Sequence, residues 1–132
     1  MLWIRQLALA AILSAPNLHD VSADPACNPP AKAMARTELL FGAARVSDVQ
    51  WKHFLAREVT PRFPDGLSVL NGYGQWQAPN GTIVKERSRI LLLWRSEDAA
   101  ANAKVDAIRA AYKRQFHQQS VMRVDGEDCV SF

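Results

Sequence analysis

Two cysteines, Cys27 and Cys129, stand near opposite ends of the stretch that follows residue 23, and any fold that pairs them must bring their Cα atoms within about 7 Å of each other. Whether they pair depends on the compartment, and the first 23 residues bear on that. Arg5 precedes an apolar run from Leu7 to Ala15, and Val21-Ser22-Ala23 supplies the small residues at which a signal peptidase cuts. The pattern predicts a signal peptide over residues 1–23, cleaved near Ala23, and a periplasmic or secreted destination that favours a Cys27–Cys129 disulfide. Closing a loop of roughly 100 residues is worth about 4 to 5 kcal/mol in the chain-entropy model. The apolar run is interrupted by Pro16, Asn17 and His19 and is too short to cross about 30 Å of hydrocarbon, so no stable membrane anchor is expected after cleavage. Lipidation of Cys27 is the competing use. Asp24-Pro25-Ala26, however, lacks the apolar and small pattern that a lipoprotein peptidase requires.

Without the leader about 110 residues remain, enough for one compact domain and too few for two. The formal net charge of +3 is small, and the basic residues are spread along the chain with no block interleaved with aromatics. That balance argues against nucleic acid as a partner.

Three prolines mark residues 24–35 as an extended arm, and residues 36–132 read as the domain proper. Alternation predicts a strand over Thr37 to Ala44, with Thr37, Leu39, Phe41 and Ala43 on one face. Ser47 and Gln50 have the spacing of a capping box, so a helix begins there, buries Trp51, Phe54, Leu55 and Val59, and stops before Pro61. Ala78-Pro79-Asn80-Gly81 predicts a three-residue hairpin loop joining strands Leu67 to Gln77 and Thr82 to Arg95. Ser96 is expected to cap a second helix with Val105, Ile108, Tyr112 and Phe116 on its buried stripe. A last strand is expected in two pieces, bent around Asp125-Gly126. This order is the ferredoxin-like βαββαβ pattern, an α+β fold with a four-stranded antiparallel sheet and two helices on one face. It places the last strand antiparallel beside the first, which brings the two cysteines together.

Ile90-Leu91-Leu92-Leu93-Trp94 is apolar on both faces of its strand, whereas one face of such a sheet is normally polar. A homodimer packed sheet to sheet, with Leu91 at its interface, would cover the extra apolar face. The N-terminal arm is the alternative cover.

The hairpin register pairs Gly72 with Ser88, Gly74 with Glu86 and Trp76 with Val84 on one face. Glycine within a strand marks close approach by a ligand or another backbone. A small-molecule pocket floored by Gly72 and Gly74 and walled by Trp76 would hold Glu86 as its ionisable group, beside Ser88. In the plain alternative the two glycines make room for a bulky helix residue such as Trp51. Tyr73 faces Arg87 on the other side with Asn71, Gln75, Lys85 and Arg89, a cationic surface for an anionic ligand or an ordinary solvated face. Arg62 and Asp65 would fix the turn around Phe63-Pro64. His53 and His117 have no partner at ligand spacing, so neither a metal nor another cofactor is expected. There is no phosphate-gripping glycine loop, nucleophile elbow or free cysteine beside a base.

Arg36-Thr37-Glu38-Leu39-Leu40-Phe41-Gly42, the TPRFPDGL segment from Thr60, the Gly-Tyr-Gly-Gln-Trp run ending at Trp76, and Glu86 with Ser88 resemble the bacterial family catalogued as domain of unknown function 3574. The resemblance covers nearly all of the domain and implies a small exported protein, with no activity attached. Leu40 departs from the tyrosine that the family tends to carry in its first strand. The leading expectation is a domain that binds a ligand or protein partner without catalysis. The alternatives are a dimeric α/β-barrel-type enzyme with a hydrophobic substrate between sheet and helices and Glu86 or His53 as acid or base, and a structural or assembly component of the envelope.

Overall fold

The computed structural model describes residues 26–132. The expected signal peptide lies outside the described residues. The elements run β1 (Lys32–Gly42), α1 (Asp48–Phe54) continued by a π-helical turn (Leu55–Val59), β2 (Ser68–Gln77), β3 (Ile83–Arg95), α2 (Ala99–Phe116) and β4 (Met122–Val130). The strands form one antiparallel sheet in the order β2-β3-β1-β4, which is the ferredoxin-like α+β arrangement.

β1 sets the layers. Its odd residues Ala35, Thr37, Leu39 and Phe41 are buried under the helices, and in the β1–β3 register Leu39 faces Leu91 and Thr37 faces Leu93. Leu91 and Leu93 are therefore core residues, 0% and 1% exposed, and Ile90, Leu92 and Trp94 point away from the helices. Leu91 is thus not an interface position, because Thr37, Leu39 and Phe41 claim its face for the core. Above that face Trp51 and Phe54 of α1 and Tyr112 of α2 close edge to face on Phe41, with centroids at 5.2, 6.2 and 4.6 Å. Such geometry adds about 0.5 to 1.5 kcal/mol per pair beyond area burial. The Tyr112 hydroxyl donates to the Gly42 carbonyl at 2.7 Å, so the polar tip of a buried ring is satisfied where β1 ends.

The caps follow local chemistry. Gln50 N donates to Ser47 Oγ at 3.2 Å and Ser47 N to Gln50 Oε1 at 2.9 Å, completing the capping box. Thr60 N reaches back five residues to the Leu55 carbonyl at 2.9 Å, and the helix ends before Pro61. Gly81, at φ +86°, takes the left-handed position of the hairpin, and Ala78 N donates to the Thr82 carbonyl at 2.8 Å.

Three elements differ from expectation. β1 begins at Lys32, five residues before Thr37, because β4 extends far enough to pair with it, Lys32 opposite Val130. Asp98, not Ser96, caps α2: its Oδ1 accepts from Ala101 N at 2.7 Å, while the Ser96 carbonyl is taken by Arg95 Nη1 at 2.9 Å and Ser96 Oγ donates to Asp98 Oδ2. That bond from Ser96, with the amide of Ala101, lowers the Asp98 pKa.

β4 is unbroken through Asp125-Gly126. The aspartate belongs to a polar cluster and the glycine to a crossing side chain. A Cβ on Gly126 would lie 2.9 Å from Arg36 Nη2, so glycine lets the Arg36 guanidinium cross the strand.

The cysteines meet. Cys27 and Cys129 form a disulfide across 5.5 Å between Cα atoms, tying the segment before β1 to the end of β4.

Candidate functional site

The hairpin register places Gly72 opposite Ser88, Gly74 opposite Glu86 and Trp76 opposite Val84, as the loop predicts. Their face is the one no helix covers. Trp51 lies on the opposite face, so the glycines do not accommodate it. Cβ atoms on Gly72 and Gly74 would meet only Ile90 Cδ1 at 3.8 Å and Glu86 Cγ at 3.9 Å, ordinary contacts, so neither glycine is forced by crowding. Glu86 is half-buried and leans toward the end of β1: its Oε1 lies 3.5 Å from where a Cβ on Gly42 would stand. His53 is exposed on α1, across the sheet from Glu86, so the two do not share a site. Among the described residues no group of His, Cys, Asp or Glu could hold a metal ion, and no helix is long and apolar enough to cross a membrane.

The uncovered face carries a broad apolar surface. Leu70, Trp76, Trp94, Met122 and Val124 are exposed, and Leu40, Ile90 and Leu92 between them are half-buried. Its central charges pair among themselves: Arg36 Nη1 donates to Glu38 Oε1 at 2.5 Å, Arg36 Nε lies 3.2 Å from Asp128 Oδ2, and Trp94 Nε1 donates to that oxygen at 2.9 Å.

The helix-side face of the same hairpin is polar at its outer end. Tyr73 faces Arg87 and Asn71 faces Arg89, as the register requires. Gln75 and Lys85 stand farther out along the ladder, and the partner that sequence reasoning missed is Asp48 from the first turn of α1. Asp48 Oδ1 accepts from Arg89 Nη2 and lies 3.5 Å from Arg87 Nη1, while Asn71 Oδ1 accepts from Arg89 Nη1 and the Val46 carbonyl from Arg87 Nη2 at 2.8 Å. Asp48, Asn71, Tyr73, Arg87 and Arg89 line a cleft of about 220 Å³. Asp48 reads locally as a helix-dipole residue; no local signal announces a contact across 41 positions.

A larger groove of about 760 Å³ runs along the other end of the sheet, between the connection into β2 and the start of α2, with Phe63, Leu67, Leu92 and Trp94 in its lining. Its cations are engaged. Arg62 reaches back to the Glu58 carbonyl and to Glu58 Oε2 at 2.9 Å, which replaces the expected pairing with Asp65. Lys104 Nζ lies 5.9 Å from the Phe63 ring centroid.

Arg95, 4% exposed, donates to Thr37 Oγ1 at 2.9 Å, the Ser96 carbonyl at 2.9 Å, Asn102 Oδ1 at 3.1 Å and Asp125 Oδ1 at 3.3 Å. Burial works to raise the Asp125 pKa, but hydrogen bonds from Thr37 and Arg123, with the charge of Arg123, outweigh it and hold the carboxyl below its ordinary value. This network fastens α2, β1, β3 and β4 to one another. The sequence showed it only as a threonine on the core face of β1 and an arginine closing an aliphatic strand.

Among solved structures, the fold is similar to that of a phage SAM lyase in complex with S-methyl-5'-thioadenosine, at 18% identity and a TM-score of 0.55, covering 75% of this chain and 88% of that one. At that identity the likeness is one of fold. No curated protein is matched by the sequence. The model of the family described as protein of unknown function (DUF3574) matches residues 36–132, nearly the whole of the described fold from β1 to the last residue. The chain belongs to that family.

Proposed function

We propose that this is an exported binding domain that self-associates through its uncovered sheet face, without catalysis of its own. The observation that carries the reading is that face: five exposed apolar side chains around three half-buried aliphatic ones, on a side where no helix packs. Water-exposed apolar surface of that extent costs free energy, and contact with another surface recovers about 25 cal/mol per Å². Four strands of 9 to 13 residues, about 4.8 Å apart and rising about 3.3 Å per residue, present a footprint of about 600 Å². The accessible surface over such a footprint is larger than the footprint itself. It approaches the roughly 800 Å² that each partner contributes to a stable interface.

A second copy is the occupant that fits. Aligned sheets stack about 10 Å apart under a two-fold axis, which brings the same patch from both copies together. Within each copy Arg36 is paired with both Glu38 and Asp128, so its cation does not meet that of the other copy unpaired, and the trio carries one net negative charge. The disulfide, with no helix able to cross a membrane among the described residues, suits an exported protein whose leader is cleaved near Ala23. For the enzyme alternative, which offered Glu86 or His53 as acid or base, the two residues lie on opposite sides of the sheet, so each would have to act without the other.

Sedimentation velocity on the leaderless, oxidised protein tests this. A dimer at micromolar concentration is expected, and Leu92→Asp should give a monomer with unchanged far-ultraviolet circular dichroism. A monomeric unmodified protein overturns the reading.

A further inference from the structure

The cleft between Tyr73 and α1 contains a cation that is held unusually for a buried group. Arg89 is 6% exposed, and a guanidinium taken that far from water needs full pairing to repay its desolvation. Its pairing is incomplete. Asn71 and Asp48 take its two terminal nitrogens, while Nε, closed off from solvent, has no hydrogen-bond partner. The one carboxylate it has is borrowed from a side chain that is 68% exposed, and a single oxygen of that carboxylate serves Arg89 and Arg87 together. A guanidinium fork is built for two parallel bonds to two oxygens, and neither arginine receives them.

The cleft beside these groups measures about 220 Å³ and is walled by Tyr73, which is 85% exposed, and by the backbone at Gly72 and Ser88. With Arg87, Arg89 and Asp48 the local balance is one net positive charge, and Asn71 and Tyr73 add neutral polar groups without opposing it.

We propose that this cleft is a binding site for a small oxyanion, a carboxylate or phosphate group, held between Arg87 and Arg89 in the place where the exposed Asp48 carboxylate now rests. The ligand displaces Asp48 and gives each guanidinium an oxygen of its own. Arg89 is the buried anchor, Arg87 the accessible arm, and Tyr73 the wall that admits a ligand carrying a planar or apolar body behind its anionic head. The site is on the helix side of the hairpin, and self-association uses the opposite face, so the two proposals stand or fall separately.

The test is titration of the leaderless, oxidised protein with inorganic phosphate and, separately, acetate, at constant ionic strength, followed by proton–nitrogen NMR of the Arg87 and Arg89 Nε–H groups and the Asn71 to Tyr73 amides. Saturable shifts confined to those signals are expected, with Arg87→Gln weakening the apparent affinity roughly tenfold, the loss of one charge-assisted bond. Asp48→Asn should strengthen it by a similar factor, because the internal competitor loses its charge. Saturation by phosphate alone identifies the head group as phosphate, and saturation by both extends the site to carboxylates. Shifts that stay linear to tens of millimolar, or that Arg87→Gln leaves unchanged, overturn the proposal.

Discussion

Tyr112 illustrates how one residue couples core packing to pH. Its ring lies against Phe41, Phe54 and Phe116, and its hydroxyl donates to the Gly42 carbonyl. Burial pushes its pKa up to about 12, with Arg89 opposing and Glu86 adding to the rise. The fold therefore favours the neutral phenol. Its contribution is complete below the unfolded value of about 10 and is lost as pH rises from there through about 12. Urea unfolding at stepped alkaline pH should show stability falling over that window. In Tyr112→Phe the fall should be smaller, with a cost of about 1 kcal/mol at neutral pH for the lost hydrogen bond. A variant whose alkaline profile matches the unmodified protein would refute the assignment.

At the scale of elements, the Arg95 cluster joins what the hydrophobic core only stacks. Thr37 from β1, Arg95 from β3, Asn102 from α2 and Asp125 from β4 meet around one guanidinium. The Asp125 pKa is lowered, so its stabilising effect is present above the unfolded carboxylate value of about 3.9 and disappears as pH falls through the folded value. Asp125→Asn should lower stability at pH 7 by about 1 kcal/mol or less, because the carboxylate is partly solvated and its bonds are screened. The variant should also lose part of the acid dependence that chemical unfolding between pH 5 and pH 2 reveals in the unmodified protein. Equal slopes over that range would place the acid sensitivity elsewhere. β4 shows why such a cluster is hard to foresee: Asp-Gly inside a strand has the composition of a bend, and here the unbroken ladder with β1 runs through it, joined by the partners of Asp125 and the Arg36 side chain over Gly126.

For the whole molecule, the disulfide joins positions 102 residues apart, so nearly the entire domain lies within one covalent loop. Reduction should leave the sheet and helices formed in native buffer and shift the urea midpoint downward, with a loss of up to about 4 to 5 kcal/mol. Coincident unfolding curves with and without reductant would contradict that role. The bond also agrees with the topology. It closes between β4 and the segment leading into β1 because those strands are antiparallel neighbours, and a fold with β4 elsewhere in the sheet would leave the cysteines apart.

Local chemistry determined the order of elements, the capping box at Ser47, the hairpin loop with Gly81 in its left-handed position, and hence the register from Trp76 back to Leu70. These are short-range matters, settled by which residues can cap, turn or alternate within a few positions. The pairing of Cys27 with Cys129 followed from the same order of elements. Which face of the hairpin the helices would take was not a local matter, because β3 is apolar on both sides. It was decided by pairing with β1, where Thr37, Leu39 and Phe41 carry Leu91 and Leu93 into the core and leave Gly72, Gly74, Trp76 and Glu86 outside. The Asp48–Arg89 pair and the Arg95 cluster likewise exist only because distant segments meet. A charge declares its sign in the sequence, but the partner that neutralises it is chosen by the packing of the whole chain.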